Sequence, residues 1–371
     1  MKMLSEAFGL SEEGTLSGVG PVLRRQQAME NAKTRALLVE AKRLMDRAFK
    51  GDNHARLAVN EALTTSDLFR DTVGQLLDIE MLGQYQTADK QWQKFAKSTP
   101  VRNFKPKTLR TLVGTNYSLP KVPEHTAYPI AKGLDREDKF IKVGKHGERY
   151  GYTFEARQND DLNELQEVPG QWADVCARTE DDTVLAGLAN PLTGAPNTAV
   201  FTGAKLGTGL LTADNLQTAW TAVTTQRDSS GRLLTAPQLQ LVVGPALQFT
   251  AQRIIGAQWI RYTDTNGKVV EEANPFAGTT LTVLANLPGS AWFIVPVPSA
   301  VRPAFYAAFL NGFETPDLRQ KNDAGQSVGG GQLSGDAGSF DEDTIWFRVR
   351  HIVGGASGDD TFIYASDGTG D

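Results

Sequence analysis

At 371 residues, with 40% hydrophobic and 22% charged side chains, the chain is long enough for two or three domains or one elaborate one, and it lacks the polarity of a disordered tract. No apolar run approaches the roughly 20 residues of a membrane helix, and the opening MKMLSEAFGLSEEG has acids where a signal peptide carries its apolar segment, so the expectation is a protein made and kept in a cytoplasm. A single cysteine, Cys176, excludes an internal disulfide or a thiolate metal cluster, and the net charge of -5 is uneven: residues 1–110 hold 18 Lys/Arg against 13 Asp/Glu, the remainder 20 against 30.

From Arg24 to Arg70 the composition favours helix, and Leu37, Leu38, Ala41, Leu44, Met45 and Ala48 fall on one face that needs a cover, from the same chain, a neighbouring copy or a scaffold. A second helix is predicted over Ser66–Leu82, with Ser66 as N-cap and Leu68, Phe69, Val73, Leu76, Leu77 and Ile79 as its apolar set. No acid lies between Asp89 and Glu124, while lysines and arginines interleave with Trp92, Phe95 and Phe104. That pattern admits nucleic-acid binding, and it equally admits a basic arm lying on an acidic neighbour.

Between Glu124 and Glu155 the character changes to a charged hairpin. Tyr150, Tyr152 and Phe154 alternate with Arg149, Gly151, Thr153 and Glu155, and GKHGE, residues 144–148, is predicted as the turn before that strand. Two strands alone are marginal in water, so this hairpin is expected to lie on something else. A helix of about five turns then follows, with Pro169 in its first turn, Trp172, Val175, Cys176, Thr179, Thr183 and Leu188 along one face, and Asn190-Pro191 as its stop. Glu180, Asp181 and Asp182 are consecutive acids on it and point three ways, which predicts a solvated face rather than a metal site.

From Leu211 to Leu310 helices and strands mingle: a helix capped by Thr212 with Leu216, Trp220 and Val223 inward, the strand QLQLVV, the corner Gly244-Pro245, and a helix with Leu247, Ala251, Ile254 and Ile255 on one face. TTLTVLANL, AWFIVPV and AFYAAFL read as strands, and Asn322–Ser339 as a glycine-rich connection. In FDEDTIWFRVRHIV, Ile345, Phe347 and Val349 face one way and Trp346, Arg348 and Arg350 the other; this strand must pair with something much earlier in the chain. The SDGTGD end reads as frayed.

Catalytic signatures are not apparent. His54, His125, His146 and His351 are far apart in sequence, Cys176 sits in a predicted helix without a nearby histidine, and no Gly-x-Gly-x-x-Gly, phosphate loop or Gly-x-Ser-x-Gly elbow occurs; GAKLGTG, residues 203–209, is read as a plain glycine-rich loop. No catalytic, cofactor-binding or metal residue is nominated.

The order of these pieces, a basic helical arm, a charged hairpin, a long helix ending in RTEDDTVLAGLANP, a mixed domain with VVGPAL and a late strand DTIWFRVRHIV, resembles the major capsid proteins of tailed bacteriophages, the Hong Kong 97-type fold shared with encapsulin shells. The resemblance implies an α+β fold divided into an N-terminal arm (1–65), a helix and connection into the peripheral domain (66–123), an extended loop (124–155), a peripheral domain with a spine helix (156–200), an axial domain (201–335) and a return strand with a flexible C-terminus (336–371). It implies further that many copies join as pentamers and hexamers in a virion, around double-stranded DNA contacted non-specifically, with a scaffolding, portal or decoration protein as further partners, no membrane, and assembly in the bacterial host's cytoplasm. Lys139, Lys142 and Lys145 lie on the loop, but no asparagine partner is identifiable, so the side-chain crosslink of some family members is not carried over. Two other readings stand beside this one: an encapsulin-like compartment for a cargo enzyme, and a soluble enzyme built from scattered acids and histidines.

Overall fold

A computed structural model of the chain describes residues 67–113, 121–128, 135–153, 155, 162–227, 231–263, 269–321 and 344–370, with residues 43, 47 and 55. Apart from those last three positions, the arm over 1–65 lies outside the described residues, as do Ser66 and the connection Asn322–Ser339. In chain order the elements are α1 (Asp67–Thr87), β1 (Lys97–Val101), β2 (Lys107–Val113), β3 (Asp135–Ile141), β4 (Gly144–Tyr152), α2 (Leu162–Leu188), β5 (Leu206–Gly209), α3 (Ala213–Thr224), β6 (Leu239–Val243), α4 (Gln248–Gly256), β7 (Trp259–Thr263), β8 (Val269–Ala273), β9 (Thr280–Val283), β10 (Trp292–Pro296), β11 (Phe305–Leu310), β12 (Asp317–Gln320), β13 (Ile345–Ser357) and β14 (Tyr364–Gly370).

Two compact units divide this series. The first comprises residues 1–89, 144–179 and 310–352, and the second 90–143, 180–309 and 353–371. In the first unit β13 lies between β12 and β4, with Asp317 opposite Arg350 and Arg319 opposite Arg348. Phe347 and Val349 are buried and Arg348 is exposed, as the alternation predicts, and the early partner that this strand requires is β4. The core of this unit joins Leu77, Met81, Leu82 and Tyr85 of α1 with Trp172, Ala173 and Cys176 of α2, and Ala55 is buried in it. Each large apolar side chain taken out of water here contributes roughly 1.5–3 kcal/mol before the loss of chain entropy is set against it.

The second unit holds a five-stranded sheet in the order β5-β14-β10-β6-β9, in which β14 pairs antiparallel to β10 and parallel to β5. All five residues of β6 and of β10 are buried, which suits strands covered on both faces. One face packs on Leu216, Ala219 and Val223 of α3, the other on an aromatic core with Phe201 5.6 Å from Phe293 and Phe95 5.9 Å from Phe305. Thr212 caps α3 as expected, its side chain accepting from the Asn215 amide at 3.2 Å.

Several local expectations are corrected. The strand before Ile141 pairs not with Tyr150's strand but with β2, from Lys107 opposite Ile141 to Val113 opposite Asp135, so the hairpin is β2–β3. GKHGE is the first half of β4 rather than a turn: Gly147 is needed for close approach, since a Cβ there would stand 2.5 Å from the Val349 carbonyl oxygen. Pro169 lies inside α2, which begins seven residues earlier, and the terminal SDGTGD is not frayed, because residues 364–370 form β14 with Ser366 fully buried. Residues 206–209 of the glycine-rich stretch are strand β5. The corner at Gly244-Pro245 is scaffold, with Pro245 opening a short 3-10 turn into α4; Gly244 has an ordinary φ of -80° and is required because a Cβ would meet the Leu287 oxygen at 2.2 Å.

Candidate assembly surface

The hairpin β2–β3 has seven antiparallel residue pairs in a sheet of two strands, as β7–β8 has five. Such a ribbon cannot bury a core by itself. At its base Ile141 is fully buried, while Phe140 beside it is 64% exposed. Lys139 reaches Asp360 at 3.2 Å, and Lys205 reaches the same carboxylate at 3.1 Å. Burial alone would raise the Asp360 carboxyl, but the two ammonium groups outweigh it and hold the acid below its ordinary range. The base of the ribbon is therefore pinned by charge, and Phe140 there offers apolar surface to another body.

Further large apolar side chains of the second unit stand in water, among them Phe249 on α4, Trp259 at the start of β7 and Leu233, each more than half exposed. Phe249 lies off the inward stripe of α4 that Ala251, Ile254 and Ile255 define, so helical periodicity does not mark it.

The acidic triplet on α2 is not a solvated face. Residues 172, 173, 176, 177, 180, 181, 184, 185 and 188 form the buried stripe, which includes Ala173 and Ala177 and leaves Val175 42% exposed, so Glu180 and Asp181 fall in phase with the core while Asp182 is exposed. Glu180 accepts from the Trp92 indole at 2.9 Å, with Lys90 3.7 Å away, and Asp181 accepts from the Trp92 amide at 2.8 Å. Asp181 thus satisfies the opening amides of the 3-10 turn Gln91–Lys94, which has no side-chain cap of its own, while Glu180 holds the indole of Trp92. Trp92 and Phe95 are core residues in consequence, as is Tyr85 in the first unit, and none is a stacking platform for bases.

Folding brings two of the four histidines together. His351 is buried edge-on against Tyr85 at 5.8 Å, and His146 is near enough that burial first, and the His351 charge second, lower its pKa. His125 is in an exposed segment with φ of +58°, and His54 lies outside the described residues. Among the described residues no three His, Cys, Asp or Glu side chains converge as metal ligands, and no helix is long and apolar enough to cross a membrane. Cys176 is buried in the first unit's core.

The sequence model of the family described as phage capsid protein matches residues 136–366, from β3 through β14. The chain belongs to the phage capsid protein family. The major-capsid role that the order of its elements implies is thereby borne out. Solved structures similar to this capsid protein include the virus-like particle from Pyrococcus furiosus (11% identity, 78% of this chain and 97% of that chain, TM-score 0.40), Gordonia phage Cozz (15%, 73% and 84%, TM-score 0.42) and the capsid of the empty GTA particle (14%, 75% and 89%, TM-score 0.44). No curated protein matches the sequence.

Proposed function

We propose that this protein is the repeating subunit of a Hong Kong 97-type icosahedral shell, gathered into pentamers and hexamers, that encloses the double-stranded DNA of a tailed bacteriophage and is assembled in the cytoplasm of its bacterial host. The role is structural rather than enzymatic. The observation that carries this reading is the family match over residues 136–366, and the ribbon β2–β3 with its charge-pinned base supports it. In this scheme residues 201–335 supply the axial domain, α2 the spine helix and β2–β3 the extended loop that lies over an adjacent copy. Many modest identical contacts close into rings when the rotation permits, and together they hold a shell. A scaffolding, portal or decoration protein completes the set of partners.

Electron microscopy of the purified full-length protein tests the proposal. Megadalton particles built of pentamers and hexamers are expected, with nuclease-protected DNA inside those taken from virions. A protein that stays monomeric across concentration and salt would overturn it.

A further inference from the structure

One face of the first unit's sheet is more basic than the acidic chain as a whole would suggest. Successive side chains of a strand alternate between faces, and directly opposed residues of antiparallel strands share a face. Phe347 and Val349 belong to the buried side of β13, so Arg348 and Arg350 belong to the other, and Arg319 of β12 stands opposite Arg348. Across β13, Lys145 and Arg149 of β4 line the same groove of about 320 Å³ as Arg348 and Arg350. Gly147 forms its floor, where a side chain would collide with the Val349 carbonyl.

Two acids temper this field. Asp317, almost fully buried, accepts from Arg350 at 2.7 Å and from Arg319 at 2.9 Å, and Glu148 at the groove is tied to the Trp172 indole at 2.6 Å. Lys145, Arg149 and Arg348 make no ion pair among the described residues. Two of the guanidinium groups are also held in place: Arg149 lies 4.5 Å over the Trp346 ring and Arg350 5.3 Å over that of Phe313. Pre-positioned arginines lose less freedom on meeting an oxyanion than free side chains do.

We propose that this face, centred on Arg149 and Arg348, binds the sugar–phosphate backbone of double-stranded DNA without regard to sequence. A protein neighbour would call for an apolar, desolvated centre poor in lysine, whereas here the aromatic ring between the strands is already covered by a cation. Phosphates would meet arginine and lysine side chains that make no ion pair among the described residues, and no base reading is implied. The inference deepens the DNA-enclosing reading above and rests on it.

The test is a fluorescence-anisotropy titration of a 30-base-pair random duplex against the full-length unassembled protein between roughly 50 and 200 mM salt, for wild type, Arg149→Gln/Arg348→Gln and Arg149→Lys/Arg348→Lys, with particle formation followed by electron microscopy in parallel. Removing two phosphate contacts should flatten the slope of log affinity against log salt by about 2, and the lysine pair should retain most of it. Particles that still form with the Gln pair while the slope falls uphold the proposal. An unchanged slope overturns it, and so does loss of assembly with DNA binding intact, which would assign the face to a neighbouring copy. Failure of wild type to form particles would instead remove the shell reading itself.

Discussion

Asp181 reaches from α2 to the opening amides of the Gln91–Lys94 turn, accepting from Trp92 at 2.8 Å and also from Gln91. Replacing it with alanine leaves two buried donors unsatisfied, each worth about 2 kcal/mol with a charged acceptor. Relief of the carboxylate's own burial works the other way, and burial is the first cause of its raised pKa, ahead of the opposing amide bonds. The net cost of Asp181→Ala is therefore about 2–3 kcal/mol, felt locally first. Amide hydrogen exchange at Trp92 should accelerate roughly 30- to 150-fold, since each 1.4 kcal/mol is tenfold. Asp181→Asn keeps one acceptor and should stay within about 1 kcal/mol of wild type. Because the folded carboxyl titrates above its ordinary 3.8, its stabilising contribution is complete below that pH and is lost as pH rises through the folded value, so wild type should weaken relative to the Asn variant across that window. Exchange at Trp92 within threefold of wild type in Asp181→Ala would refute the reasoning.

Glycine substitutions separate open space from close approach. Gly83→Ala, exposed on α1 with nothing within 4 Å of the added carbon, should raise the denaturation midpoint by the equivalent of about 0.5–1 kcal/mol, whereas Gly354→Ala, whose Cβ would lie 2.1 Å from the Lys142 oxygen, should lower it clearly or abolish soluble expression. Asp360 titrates below its usual range, so the pinning of β3 is present above about pH 4 and is lost as pH falls through the depressed folded value; Asp360→Asn should show at neutral pH the hairpin proteolysis that wild type shows only in acid. His146 is shifted the other way for a base: the folded form resists protonation, so the first unit should lose stability as pH falls from about 6.5, and His146→Gln should flatten that dependence in a pH series of thermal midpoints.

Much of this protein was legible before folding. Periodicity located α2, α3, β6, β10 and β13 and the inward face of β13, because a side chain's face depends only on local geometry of period 3.6 or 2.0. Thr212 and Pro245 announced helix and turn starts for the same local reason, and the order of the pieces pointed to the family. Pairing was not legible, since hydrogen bonds between strands join residues that sequence keeps apart: β2 rather than β4 completes the hairpin, and β14 is a sheet strand although its residues, taken alone, favour turns. Nor could local pattern tell that Glu180 and Asp181 are buried, because an acid becomes a core residue only when remote amides and a lysine arrive to satisfy it. The same holds for the basic face. Arg149, Arg319 and Arg348 come from three distant segments, and only the strand order around β13 turns three ordinary surface cations into one field.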